Sequence, residues 1–225
     1  MAGNHLTLHT NDRVVVTTSR GNQEKWFDAE KNLWYKVDDG CFEALAEAVS
    51  SEILRNFTNV TRLPGITVAN YWVDTAEVHG LKRVVSVSEN FKREEESLVT
   101  ANTILKNSLG TGYLEVFNRR TSLKERIRLL ADAMEEATGM QDMGAYLTTL
   151  FEIDALFLNQ DRHLNNIALI RDRAGYKPCP IFDCGDSFLL DFALYSPEIE
   201  SRAYLTKAQC LPFKDRKSTR LNSSH

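Results

Sequence analysis

"NQDRHLNNIALI" (Asn159–Ile170) and "PIFDCGDSF" (Pro180–Phe188) are separated by a short polar run, "RDRAGYKPC". The apolar pieces "NIALI" and "PIFD" read as two strands around a turn. In that reading Asp161 lies in the loop before the first strand, Asn166 starts it and Asp183 ends the second. A hairpin would carry Asp183 back toward Asn166. The plain alternative is two buried strands with polar residues at their edges. A carboxylate together with a carboxamide oxygen makes a hard, oxygen-only donor pair suited to Mg²⁺, which keeps several waters and draws further ligands from phosphate. The second carboxylate, Asp161, is then placed to accept a proton from an attacking hydroxyl. Gly185, two residues after Asp183, permits a tight turn beside the metal.

Upstream of this segment the text is helical. "DMGAYLTTLFEIDALFLN" is apolar at Met143, Leu147, Leu150, Ile153 and Phe157, so the Asp161 loop follows a core helix. "SLKERIRLLADAMEEATG" repeats Ile127, Leu130 and Ala131 at helical spacing and stops at Gly139. "REEESLVTANTILKNSL" reads as a short helix and a loop, with the charge run "KREEE" (Lys92–Glu96) as an exposed helix start. Before Phe91 the pattern is different. "RVVVTT" (13–18), "LWYKV" (Leu33–Val37), "ITVANYWVD" and "KRVVSVSEN" read as strands. A single helix, "GCFEALAEAVSSEILRNF", interrupts them, with Phe42, Leu45, Ala46, Val49, Ile53 and Leu54 as its apolar stripe. Trp26, Trp34 and Trp72 read as packing residues.

Composition narrows the class. The chain has 225 residues, 43% hydrophobic and 26% charged, with a formal charge of −4. That is ordinary for a globular protein and gives no footprint of a phosphate-backbone binder, so no direct nucleic-acid partner is expected. The four cysteines form no C-x-x-C pair, so reduced, buried thiols are expected. No signal-peptide pattern and no apolar run of membrane-spanning length is visible, so a cytoplasmic protein with no membrane partner is expected. The final residues, "DRKSTRLNSSH" (Asp215–His225), break abruptly from the preceding text and read as the translation of a sequencing adapter.

Asp-x-x-x-x-Asn followed by Asp-x-Gly resembles the catalytic and metal-binding segments of protein kinases. The order here is "DRHLNN", with Arg162 and His163 after the Asp, which resembles the HipA-like serine/threonine kinases; lipid kinases carry a related segment. "WYKVDDGCFEALAEAVSSEIL" is similar to the part of that family in which a strand lysine precedes a glutamate-bearing helix. The likeness spans residues 17–213. It implies an α+β, protein-kinase-like bilobal fold, with a β-rich nucleotide-binding lobe over 1–91 and a mainly helical catalytic lobe over 92–214, cut short at its C-terminus and followed by a non-native tail at 215–225.

The same resemblance implies roles. Lys36 contacts the phosphates of ATP, and Glu47 pairs with it, with Glu43 one turn earlier as the alternative. "TSRGNQEKW" stands in place of a glycine-rich lid, with Ser19, Gly21 and Lys25 as phosphate contacts. "SENF" brings Glu89 and Phe91 near the adenine. Asp161 is the catalytic base, and Asn166 and Asp183 hold Mg²⁺. Arg162 is expected to pair with a carboxylate or a phosphate. The expected partners are a protein substrate and, by the same likeness, a regulatory or antitoxin-like protein. A lipid or small-molecule kinase, and a nucleotide-binding module without turnover, are the rival readings.

Overall fold

The computed structural model describes residues 7–8, 13–14, 24–38, 41–120, 122–190, 195–196 and 204. Two units divide the chain. The first holds the described residues up to Arg93 together with those from Pro180 on, and the second holds those within Glu94–Cys179.

A six-stranded sheet makes the body of the first unit: β1 (Thr7–Leu8), β2 (Arg13–Val14), β3 (Lys25–Asp28), β4 (Leu33–Val37), β5 (Tyr71–Val78) and β6 (Leu81–Glu89). Its order is β1-β5-β6-β4-β3-β2; β1 runs parallel to β5 and the other pairs are antiparallel. Side chains alternate across a strand, so the register decides which residues share a face. Trp26, Tyr35, Val37, Ala76, Val78, Val85 and Val87 form a buried cluster on one face, flanked by Leu33 and Trp72. Each of its valines, Val37, Val78, Val85 and Val87, contributes about 1.5–3 kcal/mol. Lys36, Ser86 and Ser88 occupy the other face, next to helix α1 (Glu43–Glu52). Of the predicted strand 13–18 only Arg13–Val14 lies among the described residues. "PIFD" does not form the expected strand; it makes one parallel bridge, Val68 to Ile181. The Ile181 amide donates to the Thr67 carbonyl (2.8 Å), and the Ala69 amide donates to the Ile181 carbonyl (3.0 Å).

Helix α1 is present, and Ala46 and Leu54 of the expected stripe are buried, but the helix is turned away from the rest of that stripe. Its buried residues are Ala44, Ala46, Glu47, Ser50 and Ser51. Phe42, Leu45 and Val49, expected in the core, are 43%, 44% and 37% exposed. A π-helical turn, Ile53–Phe57, follows. The helix is tied to its surroundings by polar contacts. Asp38, just past β4, accepts the Ala44 amide at 3.1 Å, satisfying a first-turn donor. Ser51 donates its hydroxyl to the Ala69 carbonyl (2.8 Å) and accepts the Tyr71 amide (3.1 Å).

The second unit contains the antiparallel sheet β7 (Ser97–Thr100), β8 (Ala168–Arg171) and β9 (Tyr176–Pro178), in that order. Its helices are α2 (Ala101–Leu109), α3 (Tyr113–Asn118), α4 (Leu123–Thr138) and α5 (Met143–Phe157). Helix α4 starts where Ser122 accepts the Glu125 amide and stops at Gly139, whose φ of 71° suits glycine. Helix α5 buries Met143, Leu147, Leu150, Ile153 and Phe157, as the periodicity implies, and also Asp154. The expected helix start at Lys92–Glu96 is not formed; β7 follows directly, and Glu96 is buried and accepts from Lys177 of β9. The hairpin predicted from the sequence exists, but its returning strand is β9 rather than "PIFD".

Candidate functional site

Lys36 sits mid-strand in β4, with its ammonium turned to α1 and to the Asp-x-Gly segment. Its Nζ lies 3.0 Å from Glu47 Oε1, 3.3 Å from Asp183 Oδ1 and 3.4 Å from Glu43 Oε2. Both glutamates weighed from the sequence therefore reach the lysine; Glu47 is closer and is only 2% exposed. The second oxygen of Glu47 accepts a hydrogen bond from the Ser86 hydroxyl. Burial by itself would pull the Lys36 ammonium down, but the carboxylates of Glu47, Asp183 and Glu43 more than offset this and hold it well above its usual value. Tyr71 borders the cluster, and burial, followed by the charges of Glu47 and Asp183, pushes its phenol well up.

Asp183 takes a left-handed backbone conformation, φ 57°. Gly185 packs so tightly on α1 that an added Cβ would lie 3.3 Å from Glu43 Cβ and 3.4 Å from Glu47 Oε1. The Asp-x-Gly glycine thus allows close approach of the helix that carries both glutamates, rather than only a turn. Phe182, one residue earlier, meets Phe91 with ring centroids 5.8 Å apart. Glu89 ends β6, exposed, and accepts from the Asn70 amide group at 3.1 Å. Lys25 belongs to β3 rather than to a loop, and it faces Lys36 directly across the sheet. Ser19 and Gly21 lie outside the described residues.

The second unit assembles the other predicted residues around a buried ion pair. Arg162, 1% exposed, donates from Nε to Asp154 Oδ2 (2.8 Å) and from Nη2 to Asp154 Oδ1 (3.0 Å). Its third nitrogen, Nη1, donates to the Asn166 carbonyl at 2.9 Å. The Asn159 side chain donates to Asp154 Oδ1 (2.7 Å) and accepts the Asp161 amide (3.2 Å). The Asn166 Nδ2 donates to the Asp161 carbonyl at 3.0 Å. Every bond of the network ends at the backbone of Asp161 or Asn166, or supports a residue that does. Arg162 pairs with a carboxylate, one of the two partners expected for it. His163 lies 4.0 Å from the Asp161 carboxylate, at the edge of ion-pair distance.

The donor chemistry fits a hard divalent cation. With Nδ2 committed to the Asp161 carbonyl, the Asn166 amide is oriented so that Oδ1 is its acceptor edge. Among the described residues no group of three or more His, Cys, Asp or Glu side chains is arranged to hold a metal ion. The Asn166 amide oxygen in the second unit and the Asp183 carboxylate in the first are each hard oxygen donors of the kind Mg²⁺ takes, and neither is a soft donor typical of zinc.

No family profile matches the sequence, and no curated protein matches it. A crystal structure of the Helicobacter pylori proinflammatory kinase CtkA is similar to it, with a TM-score of 0.54 at 17% identity, covering 78% of this chain. The fold is kinase-like. This chain spans 58% of the CtkA structure's length. Within the kinase-like fold, one unit brings together Lys36, Glu43, Glu47 and Asp183, and the other brings together Asp161 and Asn166. Among the described residues no helix is long and apolar enough to cross a membrane.

Sequence reading missed Asp154, Asn159, Ser86 and Phe182. Asp154 carried a signal, being an acid on the buried stripe of a mainly apolar helix, one position after Ile153. Ser86 carried only a faint one, a serine between two valines of a buried strand.

Proposed function

We propose that the chain is an ATP- and Mg²⁺-dependent kinase of the HipA-like type, transferring the γ-phosphate to serine or threonine hydroxyls of a protein. The observation that carries this reading is Lys36, a strand lysine held at once by a helix glutamate at 3.0 Å and by the aspartate of an Asp-x-Gly segment at 3.3 Å. Phosphoryl transfer asks a protein mainly to position its reactants and to neutralise charge, which a rigid, permanently charged lysine does. In this reading Lys36 binds the nucleotide's phosphates and Glu47 keeps it aimed. Lys25, opposite Lys36, adds a second cation, and Phe91 with Phe182 borders the adenine.

In this reading Asn166 through its amide oxygen and Asp183 through its carboxylate would hold the Mg²⁺. Bound there, the metal would neutralise the phosphate oxygens as charge moves onto the leaving group. Asp161 takes the proton of the acceptor hydroxyl as that oxygen bonds to the γ-phosphorus. The bond from phosphorus to the bridging oxygen breaks and ADP leaves. The protein acceptor and any regulatory partner follow from the family likeness.

The test is transfer of labelled γ-phosphate from Mg·ATP to the chain itself and to a lysate. Asp161→Asn is expected to lower transfer at least ~100-fold while nucleotide binding stays near normal. Transfer unaffected by the substitution would remove Asp161 from the chemistry. Neither transfer nor nucleotide binding in the unaltered chain would sink the kinase reading.

A further inference from the structure

The face that α1 turns inward is made of small and polar residues, Ala44, Ala46, Glu47, Ser50 and Ser51, while its larger apolar residues Phe42, Leu45 and Val49 point outward. A face of this kind buries little apolar area, so hydrophobic contact does little to fix the helix against the sheet. Its position rests on directional polar ties, of which Glu47 is the most deeply placed.

Strand register explains how that tie is built. Lys36 of β4 and Ser86 of β6 are direct cross-strand partners, so their side chains leave the sheet side by side on the same face. The Glu47 carboxylate meets both: Nζ of Lys36 approaches Oε1 at 3.0 Å, and the Ser86 hydroxyl donates to Oε2. Ser86 is itself 3% exposed. A buried carboxylate with one oxygen left unmatched is costly, and two donors fixed on adjacent strands remove that cost only when the helix stands at one depth and rotation.

We infer that Ser86 is a positioning residue, forming with Lys36 a two-point clamp that seats α1 through Glu47. Lys36 alone would hold the Glu47 carboxylate by one oxygen and let that carboxylate turn. Two donors on neighbouring strands fix its plane and add to the ties that α1 already has through Glu43, Ala44 and Ser51. Ser86 touches neither nucleotide nor acceptor in this scheme and acts only through Glu47. The inference rests on the kinase reading for its catalytic consequence and on the geometry alone for the clamp.

The experiment therefore has two readouts in the full chain. Amide hydrogen exchange over Glu43–Glu52 tests the clamp without any assay of activity. Ser86→Ala is expected to speed exchange there by roughly tenfold, the loss of one charge-assisted hydrogen bond, with β5 and β6 unchanged. Ser86→Thr, which keeps the hydroxyl and suits a strand, is expected to restore protection. Equal exchange in the unaltered chain and Ser86→Ala would overturn the clamp, as would exchange that rises throughout the sheet. The second readout is steady-state transfer from Mg·ATP. Ser86→Ala is expected to lower kcat by roughly tenfold with a smaller change in KM, and to add no further loss in a Glu47→Gln background. Losses that multiply in the double variant would mean that Ser86 acts independently of Glu47. If the unaltered chain neither transfers phosphate nor binds Mg·ATP the kinase reading fails, and the exchange data still decide the clamp.

Discussion

Asp183 combines a chemical and a conformational demand at one position. Its carboxylate lies 3.3 Å from Lys36, and its φ of 57° falls in the left-handed region that most side chains avoid. Aspartate and asparagine tolerate that region better than other L-residues, so the two substitutions commonly made here do not ask the same question. Asp183→Asn is expected to leave thermal stability close to the starting value and to weaken the Mg²⁺-dependent part of ATP binding by ~10-fold or more. Asp183→Ala should lose the same metal dependence and a further ~1 kcal/mol of stability from backbone strain. Calorimetric titration with and without Mg²⁺, beside a thermal melt, separates the effects. Undiminished magnesium dependence in the asparagine variant would remove Asp183 as a ligand. The spacing of Asp161, Asn166 and Asp183 was visible in the sequence because short motifs keep their chemistry together. The left-handed φ was not visible, since nothing in "FDCGD" distinguishes an aspartate in that region from one in a strand.

Among the elements, α5 carries the clearest energetic liability. Asp154 and Arg162 are each 1% exposed, and neither has water to fall back on. Asp154→Ala leaves a buried guanidinium without its counter-ion and is expected to cost roughly 3–5 kcal/mol. In a chain of this length that lowers the melting temperature by about 6–20 °C. A melt unchanged within a degree would show that the pair contributes no stability. Helices α4 and α5 were legible because a long apolar period, a serine start and a glycine stop are all local signals. Helix α1 was legible as a helix and its buried surface only in part: Ala46 and Leu54 are buried as expected, but Phe42, Leu45 and Val49 are exposed, because Lys36 and Ser86 on the sheet draw the Glu47 side of the helix inward. Strand β7 was missed because "KREEE" looks like solvent-facing charge. Glu96 is buried by Lys177, 81 residues later, and no local window contains both.

At the scale of the molecule, the response to alkali follows from buried groups in both units. Burial pushes the Cys179 thiol and the Tyr146 phenol well up, so the native state keeps both protons. The unfolded chain begins to lose them near 9.0 for the thiol and 10.0 for the phenol. Protons then leave the unfolded state first, and stability falls as pH rises. Lys36 has the same sign: its contribution is complete below 10.5 and is lost as pH rises through its elevated native value. Urea unfolding at about pH 10 should therefore show lower stability than at about pH 8, by about 1.4 kcal/mol from the thiol alone. Cys179→Ala should flatten that part of the slope, and an identical slope would assign the loss elsewhere. The return of the chain to the first unit after Pro180 has a consequence in time. Lys36 and Asp183 are separated by 147 residues, so on the ribosome the lysine and its helix glutamates wait about 7–30 s for the aspartate to be made. Through that interval the sheet can form from its own local strands, but the charge cluster stays incomplete. Chaperones and proteases would meet a nascent sheet that cannot close its own centre until the other unit has been synthesised.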